Sequence, residues 1–314
     1  MRAFEDFKVG DIAEFGPLAV TAADIKSFAA RFDPQPMHLD EAAAQNTVVG
    51  GLFASGLHTV CMLMRLLTDS LLRDSTFMGS PGVEEVRYLA PVRAGDRLTL
   101  RVEVLAMRPS KKPPRDGAGP SPQPHGRCRR QAYDGGDFDH DIRAARDGSV
   151  PTRGRAITYF EDLRVGTRTE VGHHTFTADE IKAFAREFDP QPFYLDEAAA
   201  ARSHFGALCA SGWHTAALCL RHIVEDRQRR QAELRRRGEP VAKTGPSPGL
   251  RDLKWPKPVY VGDTIAFAQE IVELRTVANR PDAGLRIARN TGTNQHGELV
   301  YSVLSSIFIE RRKT

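Results

Sequence analysis

Two consecutive copies of one α+β domain, each an antiparallel sheet wrapped on a central helix, are what this sequence predicts. Three observations carry the expectation. Residues 21–45, TAADIKSFAARFDPQPMHLDEAAAQ, return at 177–201 as TADEIKAFAREFDPQPFYLDEAAAA, identical at 17 of 25 positions with a fixed offset of 156. Around this block the register holds without a gap: Phe4 answers to Phe160, Gly10 to Gly166, Gly50 to Gly206, and Ser55-Gly56-Leu57-His58 to Ser211-Gly212-Trp213-His214. Within each copy the helical and strand-like patterns follow in the same order. A period this long matches a whole domain, not a solenoid unit.

Each copy opens with a strand-like stretch, Asp11 to Val20 and Thr167 to Phe176. A helix follows: Thr21 and Thr177 are N-caps with Asp24 and Glu180 three positions on, and Ile25, Phe28 and Ala29 share one face. Phe-Asp-Pro-Gln-Pro must end that helix, because two prolines two apart remove backbone donors and bias the preceding residues toward extended forms. A rigid polar loop is expected there. After Leu-Asp-Glu-Ala-Ala-Ala, a loop with Gly50-Gly51 leads into the apolar stretch Leu57 to Leu72, long enough for the central helix. Strands are expected at Val83 to Tyr88 and Arg97 to Leu105 in the first copy. In the second they are expected at Leu250 to Trp255, Thr264 to Glu273, Leu285 to Asn290 and Leu299 to Glu310.

The copies differ where chemistry is at stake. The first reads Asp33-Pro-Gln-Pro-Met-His38 and the second Asp189-Pro-Gln-Pro-Phe-Tyr194, so only one has both a carboxylate and an imidazole. Asp33 and His38, five residues apart across a proline-stiffened loop, can converge on one water. The plainer alternative is that Asp33 caps a turn and His38 packs against the sheet. Tyr194 cannot act as a base near neutral pH with an ordinary pKa of about 10; it either packs on the sheet or lines a pocket.

Composition narrows the class. With 314 residues, 41% hydrophobic and 27% charged, the chain has room for two cores. No stretch approaches a membrane span, and the start MRAFEDFKVGD lacks the basic and apolar parts of a signal peptide, so a cytoplasmic protein is expected. Four cysteines without CxxC spacing suggest neither a disulfide framework nor a zinc site, and His173, His174 and His204 show no metal-ligand spacing. The net charge of +4 gathers at 127–155 and in Arg227 to Arg237, the latter read as a solvated helix face stopped by Gly238. No aromatic-rich basic motif accompanies it, so nucleic acid is not an expected partner.

The order YFEDLRVG, helix, FDPQP[MF][HY]LDEAAA, then a glycine loop ending in SG[LW]HT resembles a tandem hot-dog protein of the MaoC-like dehydratase family. That family includes the (R)-specific enoyl-CoA hydratases, whose motif runs Asp-x-Asn-Pro-x-His-x-Asp. The likeness covers both repeats except residues about 113–155. It implies a double hot-dog fold whose repeats pack as an intrachain pseudo-dimer, with a further homo-oligomer left open. It also implies hydration of a 2-enoyl-CoA or dehydration of a 3-hydroxyacyl-CoA, the acyl-CoA being substrate, without a metal or redox cofactor. Asp33 and His38 would hold the attacking water and share the acid and base roles.

Gln35 stands where the family has Asn. Gly56, His58 and Thr59 sit at the entrance to the long helix, where free backbone N–H groups can meet an oxyanion; the family's His-Gly step is His58-Thr59 here. The second repeat, with Tyr194, would serve as scaffold and pocket wall. Two rival readings are an acyl-CoA thioesterase and a non-catalytic acyl-CoA binder.

The expected organisation is a first repeat over 1–112, a Pro/Gly/Arg-rich segment over 113–155 and a second repeat over 156–314. Taken literally, 113–155 is a disordered linker. A sharper expectation is a frameshift: Pro113 to Pro124, back-translated with GC-rich codons and read one nucleotide later, permits Arg-Pro-Glu-Met-Gly-Leu-Val-Arg-Leu-Arg-Asn. This recovers the Arg-Pro, Gly-Leu and Arg-Asn steps of Arg280-Pro-Asp-Ala-Gly-Leu-Arg-Ile-Ala-Arg-Asn290 at the offset of 167 that relates Gly95-Asp96 to Gly262-Asp263. The segment would then be the remnant of the first repeat's last strands.

Overall fold

The computed structural model describes residues 2–108 and 159–312. The segment 113–155, and with it the expected closing strands of the first repeat, lies outside the described residues.

In the first repeat β1 (Ile12–Ala19) leads to α1 (Ala22–Phe32), the one-turn α2 (Pro36–Leu39), α3 (Glu41–Gln45) and α4 (Gly56–Leu67), which a π-helical turn extends over Thr68–Leu72. Strands β2 (Gly82–Arg87) and β3 (Arg97–Glu103) follow. The second repeat runs β4 (Arg168–Thr175), α5 (Ala178–Phe188), α6 (Pro192–Leu195), α7 (Glu197–Arg202), α8 (Gly212–Arg236), β5 (Gly249–Lys254), β6 (Thr264–Thr276), β7 (Ala283–Thr293) and β8 (Leu299–Glu310).

Local chemistry accounts for the first helix of each copy. The Thr21 hydroxyl accepts from the Asp24 amide at 3.1 Å while the Asp24 carboxylate accepts from the Thr21 amide at 3.2 Å, and Thr177 with Glu180 repeats the arrangement. The buried stripe is Ile25, Phe28, Ala29 and Phe32 in α1, and Ile181, Phe184, Ala185 and Phe188 in α5. These stripes face one another. Phe28 meets Phe188 edge-on at 5.5 Å between centroids, and Phe32 meets Phe184 edge-on at 5.5 Å. Since Phe28 corresponds to Phe184 and Phe32 to Phe188, a local twofold exchanges the two contacts. Each ring so buried contributes roughly 1.5–3 kcal/mol.

The sheet obeys the same symmetry. An antiparallel six-stranded sheet has the order β2-β5-β8-β7-β6-β4, and β1 pairs with β3 in a separate two-stranded sheet. The repeats join at β2 and β5, where Val83 lies opposite Leu253 and Val86 opposite Leu250. At the offset of 167, Val83 corresponds to Leu250 and Val86 to Leu253, so the pairing maps onto itself when the repeats are exchanged. That is an isologous contact. The halves are one double unit, not beads on a linker. A single core runs across both, taking in Leu57, Val60 and Cys61 of α4 with Trp213, Ala217, Phe267 and Val300 of the second repeat.

Helix α8 ends where the charge run predicts, with Gly238 in the left-handed region at φ +69°. The expectation of a fully solvated face is corrected at its first residue, because Arg227 turns inward to the other repeat.

Candidate active site

Helix α1 stops at Asp33, whose amide still donates to the Ala29 carbonyl at 2.9 Å, because Pro34 has no donor with which to continue. The expected polar loop is shorter than the sequence suggests. Pro36 opens α2 at a position where a missing N–H costs nothing, and the His38 amide donates to the Gln35 carbonyl at 2.9 Å. This turn carries the His38 ring back over Asp33. Both residues are buried, at 4% and 3% exposure.

His38 Nε2 lies 3.5 Å from Asp33 Oδ2. Its Nδ1 lies 2.9 Å from the Phe53 carbonyl oxygen, which can only accept, so Nδ1 carries a hydrogen and Nε2 is the lone-pair nitrogen of the neutral ring. A separation of 3.5 Å is too long for a direct hydrogen bond and leaves both atoms able to engage a third oxygen. Gln35 Nε2 donates to Asp33 Oδ1 at 2.7 Å, leaving Oδ2 to face the imidazole.

The other repeat holds the loop that carries this pair. Arg227 Nη2 donates to Gln35 Oε1 at 2.5 Å, and Gln228 Nε2 donates to the Pro34 carbonyl at 2.7 Å. Sequence reasoning missed Arg227. The repeat alignment held the signal, since Arg227 corresponds to Leu71 and an arginine facing an apolar counterpart has a reason that a solvated face does not supply.

The remaining predicted residues take different places. Gly56 opens α4 against the Tyr88 ring, where a Cβ would come within 2.5 Å of the ring carbons, so close packing requires glycine. Burial, then the neighbouring Cys61 and Asp33, push the Tyr88 hydroxyl well above its usual range and keep it neutral. The Thr59 amide, expected as a free donor, is spent on the Ser55 carbonyl at 3.1 Å. First-turn amides remain: Ser55 makes no capping bond, which leaves the Leu57 N–H open. His58 is buried. Its ring stacks on Phe28 at 4.5 Å inside the core, and burial lowers its pKa to about 4.

The second repeat closes the same location. Asp189 accepts from Ser211 Oγ at 2.7 Å, Gln191 Nε2 at 2.8 Å and, across the repeats, Thr68 Oγ1 at 3.2 Å. Burial raises this carboxyl to about 6 against those three donors. Ser211 thus occupies the carboxylate oxygen that His38 faces in the first repeat, and it also accepts from the Trp213 amide at 3.3 Å. Tyr194 packs on Phe193 and Phe205 at 4.6 and 6.1 Å and makes no hydrogen bond to Asp189 among the described residues. Burial drives its hydroxyl far above its ordinary value.

Comparison with known proteins follows this geometry. The MaoC-like domain profile matches residues 8–118 and again 164–287. Over 117 residues the chain is 32% identical to an (R)-specific enoyl-CoA hydratase of Rhodospirillum rubrum, covering 36% of this chain and 76% of that protein. Over 114 residues it is 31% identical to a 3-hydroxybutyryl-CoA dehydratase of Methylorubrum extorquens, covering 35% and 68%. A Mycobacterium tuberculosis protein with a double hotdog fold superposes with TM-score 0.68 at 15% identity, covering 98% of each chain. A MaoC domain protein of Chloroflexus aurantiacus gives 0.67 at 15% identity, covering 99% of this chain and 98% of its own. Matched twice over more than half its length, and folded as a double hotdog, the chain belongs to the MaoC-like domain family.

Proposed function

We propose that this protein adds water reversibly across the double bond of a 2-enoyl-CoA thioester, as an (R)-specific enoyl-CoA hydratase does, with Asp33 and His38 as its acid–base pair. The observation that carries this reading is the arrangement of His38 Nε2 and Asp33 Oδ2 at 3.5 Å, with the opposite ring nitrogen fixed on the Phe53 carbonyl. In the hydration direction a water held by both groups attacks the β-carbon and gives one proton to the pair. The pair returns a proton to the α-carbon, so hydroxide and proton add with no change of oxidation state overall. The negative charge that gathers on the thioester oxygen meets the open amides at the start of α4, Gly56 and Leu57. The second repeat, whose carboxylate is closed off by hydroxyls, forms wall and scaffold.

The test is a panel of 2-enoyl-CoA substrates of graded chain length, followed by loss of conjugated-thioester absorbance with a thiol reagent in parallel. Loss of absorbance without thiol release supports the proposal. Thiol release alone makes the protein a thioesterase, and binding without either change makes it an acyl-CoA carrier.

A further inference from the structure

We infer that Arg227, contributed by the repeat without the histidine, is a positioning residue that orients the Asp33 carboxylate through Gln35. The inference rests on the acid–base reading of Asp33 and His38. A continuous chain of contacts supports it: Arg227 Nη2 to Gln35 Oε1 at 2.5 Å, Gln35 Nε2 to Asp33 Oδ1 at 2.7 Å, and Asp33 Oδ2 to His38 Nε2 at 3.5 Å. An amide side chain can present oxygen or nitrogen in either direction. A guanidinium only donates, so Arg227 claims the oxygen of Gln35 and turns its nitrogen to Asp33. Oδ1 is thereby occupied and Oδ2 is left for the chemistry.

The helix is fixed in place independently, because Gln228 Nε2 holds the Pro34 carbonyl between the two active-site residues and the helix end. The arrangement is also one-sided. Position 227 is Leu71 in the first repeat, and among the described residues no guanidinium hydrogen-bonds Gln191; Thr68, which donates to Asp189, corresponds to Val224 on the side of the dyad. Each carboxylate is completed by the opposite repeat, one by a cation acting through an amide and the other by a hydroxyl.

Charge points the same way. Among the described residues Arg227 has no ion pair; Asp33 is the opposite charge acting on it, offsetting part of the desolvation that lowers its pKa. Arg286 on β7 adds a like charge, and its own Nε is buried with no hydrogen-bond partner among the described residues. The groups that face Asp33 are His38 from α2, Arg227 from α8 and Tyr88 just after β2, with His58 and Arg286 behind them. Asp33 and Arg227 are therefore the compensating charges of this site, separated by one amide.

The experiment compares Arg227→Met, Arg227→Gln and Arg227→Lys in the full chain, with thermal midpoint as the folding control. Arg227→Met should lower kcat by about 10- to 100-fold with a smaller change in KM, and move the acid limb of the pH–rate profile up by about one pH unit. Arg227→Lys should restore the limb and most of the rate, whereas Arg227→Gln should recover part of the rate without restoring the limb. The His38 imidazole resonances, titrated by NMR without substrate, give a readout independent of turnover; their midpoint should rise in Arg227→Met. If the wild type hydrates no enoyl-CoA, the functional proposal fails while the NMR titration still decides the inference. A folded Arg227→Met with an unmoved imidazole titration overturns it, as does a rate loss that Arg227→Lys does not rescue.

Discussion

Arg31 and Glu187 occupy the same position of the two repeats and form an ion pair with each other, Nη1 to Oε2, at 2.6 Å. In a symmetric homodimer one residue would meet its own copy here, and a charge would meet a like charge. Fusion into one chain allows opposite charges across the local twofold. The side chains are 39% and 42% exposed, so the pair is worth only about 0.2–1 kcal/mol. Glu187→Arg should lower the urea unfolding free energy by about 1 kcal/mol, and the swap Arg31→Glu with Glu187→Arg should recover most of it. A double-mutant cycle showing no coupling would remove the pair from the interface.

Substitutions at equivalent positions should have unequal effects. His38→Ala and Asp33→Asn should each cost on the order of 10²-fold or more in hydration rate, whereas Tyr194→Phe and Asp189→Asn should leave it within about threefold. The reason lies in the partners: His38 faces an open carboxylate oxygen, and Ser211 covers the matching oxygen of Asp189. Steady-state rates on one enoyl-CoA decide this. Equal losses at Asp33 and Asp189 would mean that both repeats carry chemistry.

The repeat, the capping threonines and the Asp33/His38 pair were legible in the sequence because each depends on residues close together in the chain. Boundaries of β1, β2 and β8 fall within about two residues of the expected runs, since alternation and punctuating glycines are local signals. Arg227 was read as part of a solvated face, because its partner Gln35 lies 192 positions away and only its mismatch with Leu71 in the repeat alignment sets it apart from an ordinary charged helix. His58 was misplaced for a related reason. Its position beside a helix start suggests a ligand contact, but the stack on Phe28 depends on how α1 packs over α4.

Acid should unfold this protein through its core histidines. His58 and His214 are stacked on Phe28 and Phe184, and burial lowers them to about 4 and about 3 from an ordinary 6.5. The unfolded chain therefore binds more protons than the folded one below pH 6.5, so stability is complete above that value and is lost as pH falls through the window toward 4 and 3. At pH 5 each histidine accounts for about 2 kcal/mol of that loss. His214→Phe should flatten the dependence of the urea unfolding free energy between pH 7.5 and 5 by roughly that amount. An unchanged slope would mean that His214 is reached by water in the native state.

Two glycines separate packing from catalysis. A Cβ on Gly56 would lie 2.5 Å from the Tyr88 ring, and one on Gly212 would lie 2.4 Å from the Trp255 ring, so alanine at either position forces an aromatic side chain off its helix. Overpacking of this kind costs about 1–3 kcal/mol, and both variants should melt earlier by similar amounts. Their activities should part. Gly56 begins a helix whose cap residue Ser55 makes no side-chain bond to the first-turn amides, while the matching turn in the second repeat is closed by Ser211, which accepts from Trp213 and donates to Asp189. Gly56→Ala should therefore lower kcat at temperatures where it remains folded, and Gly212→Ala should not. If Gly212→Ala loses as much rate as Gly56→Ala at matched stability, the start of α4 has no special part in holding the thioester oxygen.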